Sequence, residues 1–214
     1  MEIESRIKNL DKKVFFILST ARCRSSWFAN LFTYKNSFCF NEEFRYINNW
    51  DELVDRIEQR PEKYVGFGDP EMLHYIKDLY RLFPKATYVL LERDRIESQN
   101  SLAVISKIPL NIVAKKFVRW YNDIEVFKKI VSQYSTVHFN DMSNMKEIKR
   151  IWKYVLSDVP FDVQRWEMLD ALLLAGTIGN KPYEPDMQSC MATYFDFEKL
   201  KEILWRLILY YWSY

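Results

Sequence analysis

The sequence predicts an α/β fold of three layers, in which helices cover both faces of a mostly parallel central sheet. Three apolar runs predict its strands: VFFILS (14–19), ATYVLLE (86–92) and the short TVHF (136–139). Continuous apolar runs of this kind are typical of parallel strands buried on both faces. Each run is followed by a segment with helical spacing. A chain of 214 residues with 49% hydrophobic residues can bury one sizeable core, so we expect a single domain over 1–214.

Apolar residues spaced three and four apart predict six helices up to about residue 156. Their sequences in chain order are SSWFANLFTY, DELVDRIEQR, DPEMLHYIKDLYRLF, IESQNSLAVIS, IVAKKFVRWYNDIEVFKKIVSQ and NMKEIKRIWKYVL. Asp51 is predicted to cap the second, an Asp-Pro pair to begin the third, and Asn144 with Glu147 to form a capping box in the last. The segment NSFCFNEEFRYINN is predicted to be irregular, and beyond about residue 162 we expect helix, loop, helix.

Composition argues against several classes of partner. The net charge of +2 gives no overall field for nucleic acid, and no apolar stretch reaches the ~18 residues that span a bilayer. The three cysteines have no metal-like spacing, and the charged N-terminal segment has no apolar signal region. We therefore expect a cytoplasmic protein without nucleic-acid partner, stable membrane insertion or bound metal. The number of subunits stays open.

The stretch STARCRSSWF (19–28) lies between the first strand and the first helix, where phosphate-binding loops occur. Backbone amides at a helix N-terminus favour an anion. Two arginines add positive charge and two serines add hydroxyl donors. The stretch has no glycine and lacks the Gly-Lys-Ser/Thr of a Walker A loop, which disfavours a kinase that uses ATP and magnesium. A surface turn with solvated arginines is the alternative interpretation.

A second positive strand end supports phosphate binding. Arg93 follows the second predicted strand, and Ser101 stands eight residues later in the next helix. Because ligands of parallel sheets bind at the carboxyl ends of the strands, both loops are expected at one edge. Two such loops suit a ligand with two separated phosphate groups. The alternative is an exposed helix start with weak local ion pairs.

Together the two segments resemble the sulfotransferases that use 3′-phosphoadenosine 5′-phosphosulfate (PAPS). That family's first loop reads Pro-Lys/Arg-Ser-Gly-Ser/Thr-Ser/Thr-Trp, and its second signature is an arginine after a strand with a serine eight residues later. The first-loop matches in ARCRSSW are Arg22, Ser25, Ser26 and Trp27. Arg93 and Ser101 fit the second signature.

The resemblance is strongest over residues 13–163, with 164–214 as a helical extension of the same domain. It includes VGFGDPEMLHYIKDLYRLFPKATYVLLERD and the later segments FVRWYNDI, VHFNDM and IWKYVLSDVPFD. The departures from the family pattern are Ala21 for proline, Arg24 for glycine, Gly68 for lysine, and no Arg-Lys-Gly motif near the C-terminus. Arg165 or Lys181 could replace that motif.

The resemblance implies a P-loop-like sulfotransferase fold and transfer of a sulfonate group from PAPS to a hydroxyl or amine. The product would be 3′,5′-diphosphoadenosine, the acceptor a small molecule or glycan, and no metal would take part. The loop residues would bind the 5′-phosphate side of the nucleotide, and Trp27 would line the adenine or belong to the core. These residues are Arg22, Cys23, Arg24, Ser25, Ser26 and Trp27. We expect Arg24 in a right-handed or bridging conformation, with its side chain turned towards solvent or the acceptor.

The remaining implied roles concern catalysis and the 3′-phosphate. Arg22 would stabilise charge on the leaving phosphate, while Arg93 and Ser101 would bind the 3′-phosphate. Glu42 is the first choice as general base and Glu43 the second. The two histidines, His74 and His138, each rank below Glu42. A nucleotide-binding protein that keeps the fold without catalysis is the alternative function.

Overall fold

The structure, a computed structural model, describes residues 2–178. The chain divides into two compact units, residues 1–161 and 162–214. The first unit holds the sheet, whose strands are β1 (Lys13–Ser19), β2 (Ser37–Asn41), β3 (Tyr64–Gly68), β4 (Thr87–Glu92) and β5 (Ser135–His138). Its helices are α1 (Glu2–Lys8), α2 (Ser25–Phe32), α3 (Trp50–Glu58), α4 (Ile76–Leu82), α5 (Arg95–Ser106), α6 (Leu110–Ile130) and α7 (Met145–Val155).

In the second unit the described residues form one helix, α8 (Val163–Ile178). The carboxylate of Asp162, directly before the helix, accepts a hydrogen bond from the Arg165 amide at 3.0 Å. This bond satisfies one of the first amides of α8, which have no acceptor within the helix. The helix agrees with the prediction for the residues after 162. The predicted loop and final helix that follow, and Lys181 with them, lie outside the described residues.

All five strands run parallel, in the order β2-β3-β1-β4-β5. The central strand β1 pairs with β3 on one side and β4 on the other, so the chain crosses over β1 between these two neighbours. The carboxyl ends of the strands meet at one edge of the sheet. In open α/β sheets such a crossover point opens a crevice for ligands at that edge.

Side chains alternate between the two faces of β1, and each face is covered by different helices. Phe16 belongs to a buried cluster that includes Leu53 of α3, Leu79 of α4 and Phe117 of α6. Phe15 points the other way and packs edge-on against Phe32 of α2, with ring centres 5.6 Å apart. Both faces of the strand are thus removed from water, which explains its unbroken run of apolar residues.

One close contact in the sheet requires glycine. The Phe15 ring lies over the backbone of Gly66 in the neighbouring strand β3, and a Cβ at residue 66 would come within 2.0 Å of that ring. Any larger residue would displace Phe15, which is 1% exposed. Gly66 therefore lets the aromatic core reach the sheet backbone.

The predicted α/β class with a mostly parallel sheet and helices on both faces is confirmed, and β1, β4 and β5 match the three predicted strands. The prediction of an irregular segment around residues 36–49 was wrong in part, because Ser37–Asn41 forms the edge strand β2. The central strand β1 was found from its apolar run. Its neighbour β3 was missed because YVGFG contains two glycines, which strands disfavour.

Two helix starts also differ from the prediction. The cap of α3 is Asn49, whose side chain accepts from the Glu52 amide at 2.9 Å, rather than Asp51. The segment that begins at the Asp-Pro pair is first a 3₁₀ helix (Pro70–Tyr75) and becomes α-helical only at Ile76. The predicted cap Asn144 does hold the start of α7, where it accepts from the Lys146 amide at 3.1 Å.

Candidate functional site

The loop between β1 and α2 turns with two residues in the left-handed region. Arg22 has φ 71° and Arg24, the cap residue of α2, has φ 65° and ψ 30°. The expected right-handed or bridging conformation of Arg24 is therefore wrong. The loop has only five residues between the end of β1 and the start of α2, and the two left-handed positions make that turn without glycine.

Cys23 lies between these two arginines, and its side chain points into the protein. Its Sγ is 3.2 Å from Thr20 Oγ1, and the residue is 1% exposed. Burial raises the pKa of the Cys23 thiol. A buried neutral thiol is a poor nucleophile, so Cys23 contributes its packing and its backbone to the loop.

The arginine and serine residues of the two predicted loops come together. Arg22 Nε donates to Ser101 Oγ at 3.2 Å, which joins the first loop to α5. Arg93 Nη1 donates to the Arg22 carbonyl oxygen at 2.9 Å, which joins the loop to the end of β4. The Arg93 side chain is 17% exposed, and the Tyr121 hydroxyl donates to the Arg93 carbonyl at 3.0 Å.

Phe139, directly after β5, completes this edge of the sheet. The guanidinium carbons of Arg24 and Arg93 lie 4.0 and 3.9 Å from the centre of its ring, within the range of cation–π attraction. Sequence analysis did not single out Phe139. Its position as the last residue of the third predicted strand, at the same edge as the two arginine-bearing loops, was the available signal.

The first turn of α2 contains the other predicted loop residues. Ser25 is 7% exposed and Ser26 is half-buried. The first amides of a helix have no intrahelical acceptor, and the Arg24 side chain does not cap them. Trp27 is 6% exposed and packs edge-on against Phe28, with ring centres 5.0 Å apart, so it belongs to the core beneath the loop.

Beside the loop lies a pocket of about 730 Å³. Ala21 of the loop forms part of its wall, next to side chains that follow β2 and β3. Its apolar lining is Ala21, Phe44, Ile47, Trp50, Pro70, Tyr75, Leu102, Ile108 and Trp120. Its polar lining is Glu42, Arg45, Asn48, Asn49, Asp69, Glu71 and Lys116. The pocket can therefore hold a small molecule with an apolar body against carboxylates at the sheet edge.

Glu42, the first predicted base, lines this pocket. It follows β2 with φ 50°, a left-handed conformation that is uncommon for a side-chain-bearing residue. Its carboxylate pairs with Arg45, and Arg45 Nε also donates to the Glu42 carbonyl at 3.0 Å. Glu43 pairs instead with Arg56 and is not part of the pocket lining.

Asp69, which follows β3, is a second carboxylate of the pocket that sequence analysis missed. It is 3% exposed, and it accepts from the Glu71 amide at 2.9 Å and the Phe44 amide at 3.0 Å. Burial raises the pKa of Asp69 to about 6, although these two hydrogen bonds act in the opposite direction. The Asp-Pro pair indicated a helix start in the sequence, but the burial of Asp69 depends on the tertiary fold and was not visible there.

Neither histidine is itself part of the pocket lining, although His74 contacts two lining residues, Glu71 and Trp120. His74 Nδ1 is 2.5 Å from an Asp123 carboxylate oxygen, and its ring stacks on Trp120 with centres 5.9 Å apart. His138 is 66% exposed and lies 3.7 Å from Glu92. Their contacts suit structural roles.

Comparison with solved structures places the fold among sulfotransferases. The sulfotransferase from Alicyclobacillus acidocaldarius matches with a TM-score of 0.53 at 15% identity, over 77% of this chain and 92% of that one. The sulfotransferase domain from the curacin biosynthetic pathway matches with a TM-score of 0.50 at 11% identity, over 72% and 76% of the two chains. Mouse sulfotransferase SULT7A1, complexed with PAP, matches with a TM-score of 0.54 at 10% identity, over 86% and 73%.

These likenesses show the sulfotransferase fold. No family model and no curated protein sequence matches the chain. Within residues 2–178 no helix is long and apolar enough to cross a membrane, and no group of three or more His, Cys, Asp or Glu side chains is arranged as a metal site.

Proposed function

We propose that this protein is a sulfotransferase that uses PAPS and transfers its sulfonate group to the hydroxyl or amine of a small molecule. The observation that carries the proposal is the contact between Arg22, Arg93 and Ser101, which joins two positively charged strand ends beside a 730 Å³ pocket. A nucleotide with phosphates at both its 5′ and 3′ positions matches two such cationic ends. The sulfotransferase fold of the neighbours supports the same assignment.

The nucleotide's 5′-phosphate would lie at the start of α2. There the first-turn amides and the hydroxyls of Ser25 and Ser26 supply hydrogen-bond donors, and the helix dipole favours the negative charge. The bound nucleotide supplies the sulfonate group and the leaving phosphate. Arg22 would stabilise the negative charge that grows on that phosphate as the group departs. Ser101 would orient Arg22 through the 3.2 Å hydrogen bond from Nε.

The acceptor would occupy the apolar pocket, with its reacting hydroxyl or amine turned towards Ala21. A general base must lie within hydrogen-bond reach of that group. Glu42 is our first candidate because it lines the pocket directly after β2. Asp69 is the second, since a buried carboxylate with a pKa of about 6 is largely ionised at neutral pH yet basic enough to accept a proton.

Calorimetry with 3′,5′-diphosphoadenosine, AMP and ATP tests the nucleotide assignment. We expect the 3′-phosphorylated ligand to bind most tightly, and equal or absent binding of all three contradicts the proposal. Transfer is then measured as release of 3′,5′-diphosphoadenosine from PAPS on a panel of phenols, alcohols and amines that fit the pocket. Glu42→Gln and Asp69→Asn are compared in that assay, and the base is the residue whose loss lowers kcat more than the affinity for either substrate.

The second candidate is a nucleotide-binding protein without transfer activity, and Gly68 is the observation that favours it. Gly68 stands where the resembling family often has a lysine, and a Cβ there would lie 3.4 Å from the Ser25 carbonyl oxygen, beside the start of α2. This protein therefore lacks one cation beside the proposed 5′-phosphate. Tight binding of 3′,5′-diphosphoadenosine without turnover on the acceptor panel would support this candidate.

A further inference from the structure

The α5–α6 corner, residues 104–119, has aliphatic side chains on its outer surface. Those that are at least 46% exposed are Val104, Ile105, Leu110, Ile112 and Val118. Val104, in the last turn of α5, is 78% exposed. The side chains that α5 buries are instead the polar Ser98 and Gln99. This distribution is the reverse of an ordinary surface helix, so the corner presents an apolar surface to its surroundings.

The same corner is strongly positive. Its cations are Lys107, Lys115, Lys116 and Arg119. The sequence has no Asp or Glu from residue 98 to residue 122. The acids on either side of this stretch pair with other residues, Glu97 with Arg93 and Asp123 with His74. Since the whole chain has a net charge of +2, the corner carries more net positive charge than the entire protein.

On α6 the apolar and the positive side chains share one face of the helix. The exposed residues at positions i, i+3, i+4 and i+7 of this face are Ile112, Lys115, Lys116 and Arg119. Like charges at this spacing repel one another, and the sequence places no acid between them. An anionic surface against this face would offset the repulsion, and an apolar layer beneath that surface would cover the aliphatic side chains.

This combination favours a membrane surface over a protein partner. Protein interfaces are enriched in aromatic residues and Met and are depleted of Lys. Three of the corner's four cations are lysines, and its one aromatic side chain, Phe117, is buried. Segments that lie on membranes place aliphatic side chains at the acyl boundary and lysines at the anionic headgroups. A second copy of this chain is disfavoured, because two such corners would bring like charges together.

We propose that the α5–α6 corner binds the surface of an anionic membrane, with its aliphatic side chains at the acyl boundary and its cations against lipid phosphates. Ile108 and Lys116 of the corner also line the 730 Å³ pocket, so a membrane bound here lies beside that pocket. This position suits an acceptor that is itself amphipathic. That consequence rests on the proposed function, whereas the membrane binding itself does not.

Sedimentation of the full chain with phosphatidylcholine vesicles, made with and without phosphatidylserine, tests the proposal in the absence of nucleotide. We expect binding to the anionic vesicles only, and weaker binding at high salt. Lys115→Gln combined with Arg119→Gln should lower the affinity by about 25-fold, which is about fivefold for each cation near the surface. The matched control is Lys146→Gln with Lys153→Gln, which removes two exposed cations of α7 and should leave the affinity unchanged.

A second pair of variants tests the aliphatic side chains. Val104→Ser combined with Ile112→Ser should lower the affinity for anionic vesicles by about tenfold or more, because less apolar surface enters the membrane. Both side chains are exposed in the free protein, so the thermal midpoint should stay the same. Ile96→Ser is the matched control, since Ile96 is 66% exposed at the other end of α5, and it should leave the affinity unchanged.

Three results would overturn the proposal. The first is no binding to anionic vesicles, or equal binding to both kinds. The second is binding that neither pair of corner variants weakens, which would place the lipid contact elsewhere. The third is a protein that binds no vesicles but forms a dimer that the Val104 and Ile112 variants dissociate, or is itself destabilised by them; the corner would then pack against a second copy or another part of this chain. None of these results affects the nucleotide calorimetry, and failure of the calorimetry leaves the vesicle binding to stand or fall by itself.

Discussion

The raised pKa of Asp69 predicts how the stability of the fold depends on pH, in both direction and magnitude. Its carboxyl group is 3% exposed, and burial raises its pKa from 3.8 to about 6. The folded protein therefore holds this proton more tightly than the unfolded chain does. A carboxyl group with a raised pKa contributes stability that is present in full below its unfolded pKa and is lost as the pH rises through its folded pKa. Acidification within that window should stabilise the fold through Asp69.

The size follows from the two pKa values. Full protonation of Asp69 is worth about 3 kcal/mol of stability, because the shift is about two pKa units at 1.36 kcal/mol each. Between pH 7.5 and pH 5 the expected gain is about 1 kcal/mol, since the folded carboxyl becomes mostly protonated while the unfolded carboxyl is still mostly ionised at pH 5. Asp158, whose pKa is lowered to about 2, has the opposite effect on the pH dependence of stability, but its contribution changes mainly below pH 5.

Urea unfolding at pH 7.5 and pH 5, followed by tryptophan fluorescence, measures this contribution. The control is Asp69→Asn, which keeps the shape and one acceptor oxygen but cannot titrate. The free energy of unfolding of the natural protein, less that of the variant, should rise by about 1 kcal/mol on acidification. The subtraction cancels other groups that titrate in the same window. A difference that stays constant or falls between the two pH values would refute the reasoning.

Three further predictions concern catalysis, the sheet and the acceptor pocket. Arg22→Ala should lower kcat for sulfonate transfer by about 10²- to 10³-fold while nucleotide binding persists, and an unchanged kcat would exclude the proposed role. Gly66→Ala should destabilise the protein by about 1–3 kcal/mol, because its Cβ would lie 2.0 Å from the Phe15 ring. Gly68→Ala is the control and should destabilise the protein less, because the nearest atom to its Cβ would be 3.4 Å away. Equal decreases of the free energy of unfolding in urea for the two variants would contradict this prediction. Trp50→Ala removes an aromatic side chain from the pocket lining, so it should raise KM for an aromatic acceptor without changing the Kd for 3′,5′-diphosphoadenosine. A change in that Kd alone would place Trp50 in the nucleotide site instead.

The sequence predicted the parts of the fold whose signal is local. Strands β1 and β4 are unbroken apolar runs, so burial on both faces was readable from the residues themselves. The edge strand β2 and the glycine-containing β3 carry no such signal. Their strand structure depends on pairing with neighbours, β3 with the central β1 and β2 with β3. Tertiary pairing of this kind is not visible in a window of five residues.

The candidate site divides in the same way. Arg22, Arg93 and Ser101 were predicted to share one edge of the sheet, and the fold brings them into hydrogen-bond contact. Asp69 was missed because only its burial marks it as a candidate site residue. Phe139 was missed because the two arginines that contact its ring come from other parts of the chain. Charge and hydroxyl groups can be read in order along a loop, whereas burial and shared contacts exist only after folding.

In the glycine-free loop after β1, local backbone conformation and tertiary contacts act together. Two left-handed residues, Arg22 and Arg24, cost on the order of 1–2 kcal/mol each relative to glycine. The contacts that offset this cost are made by the side chains that glycine would lack: Arg22 bonds to Ser101, and Arg24 lies on Phe139. Burial of Cys23 between them fixes the direction of the turn. Glycine at residue 24 would adopt the left-handed conformation with less strain, but it would remove one positive charge from the edge of the sheet. The loop therefore keeps a strained backbone in exchange for the position of the Arg24 side chain on Phe139.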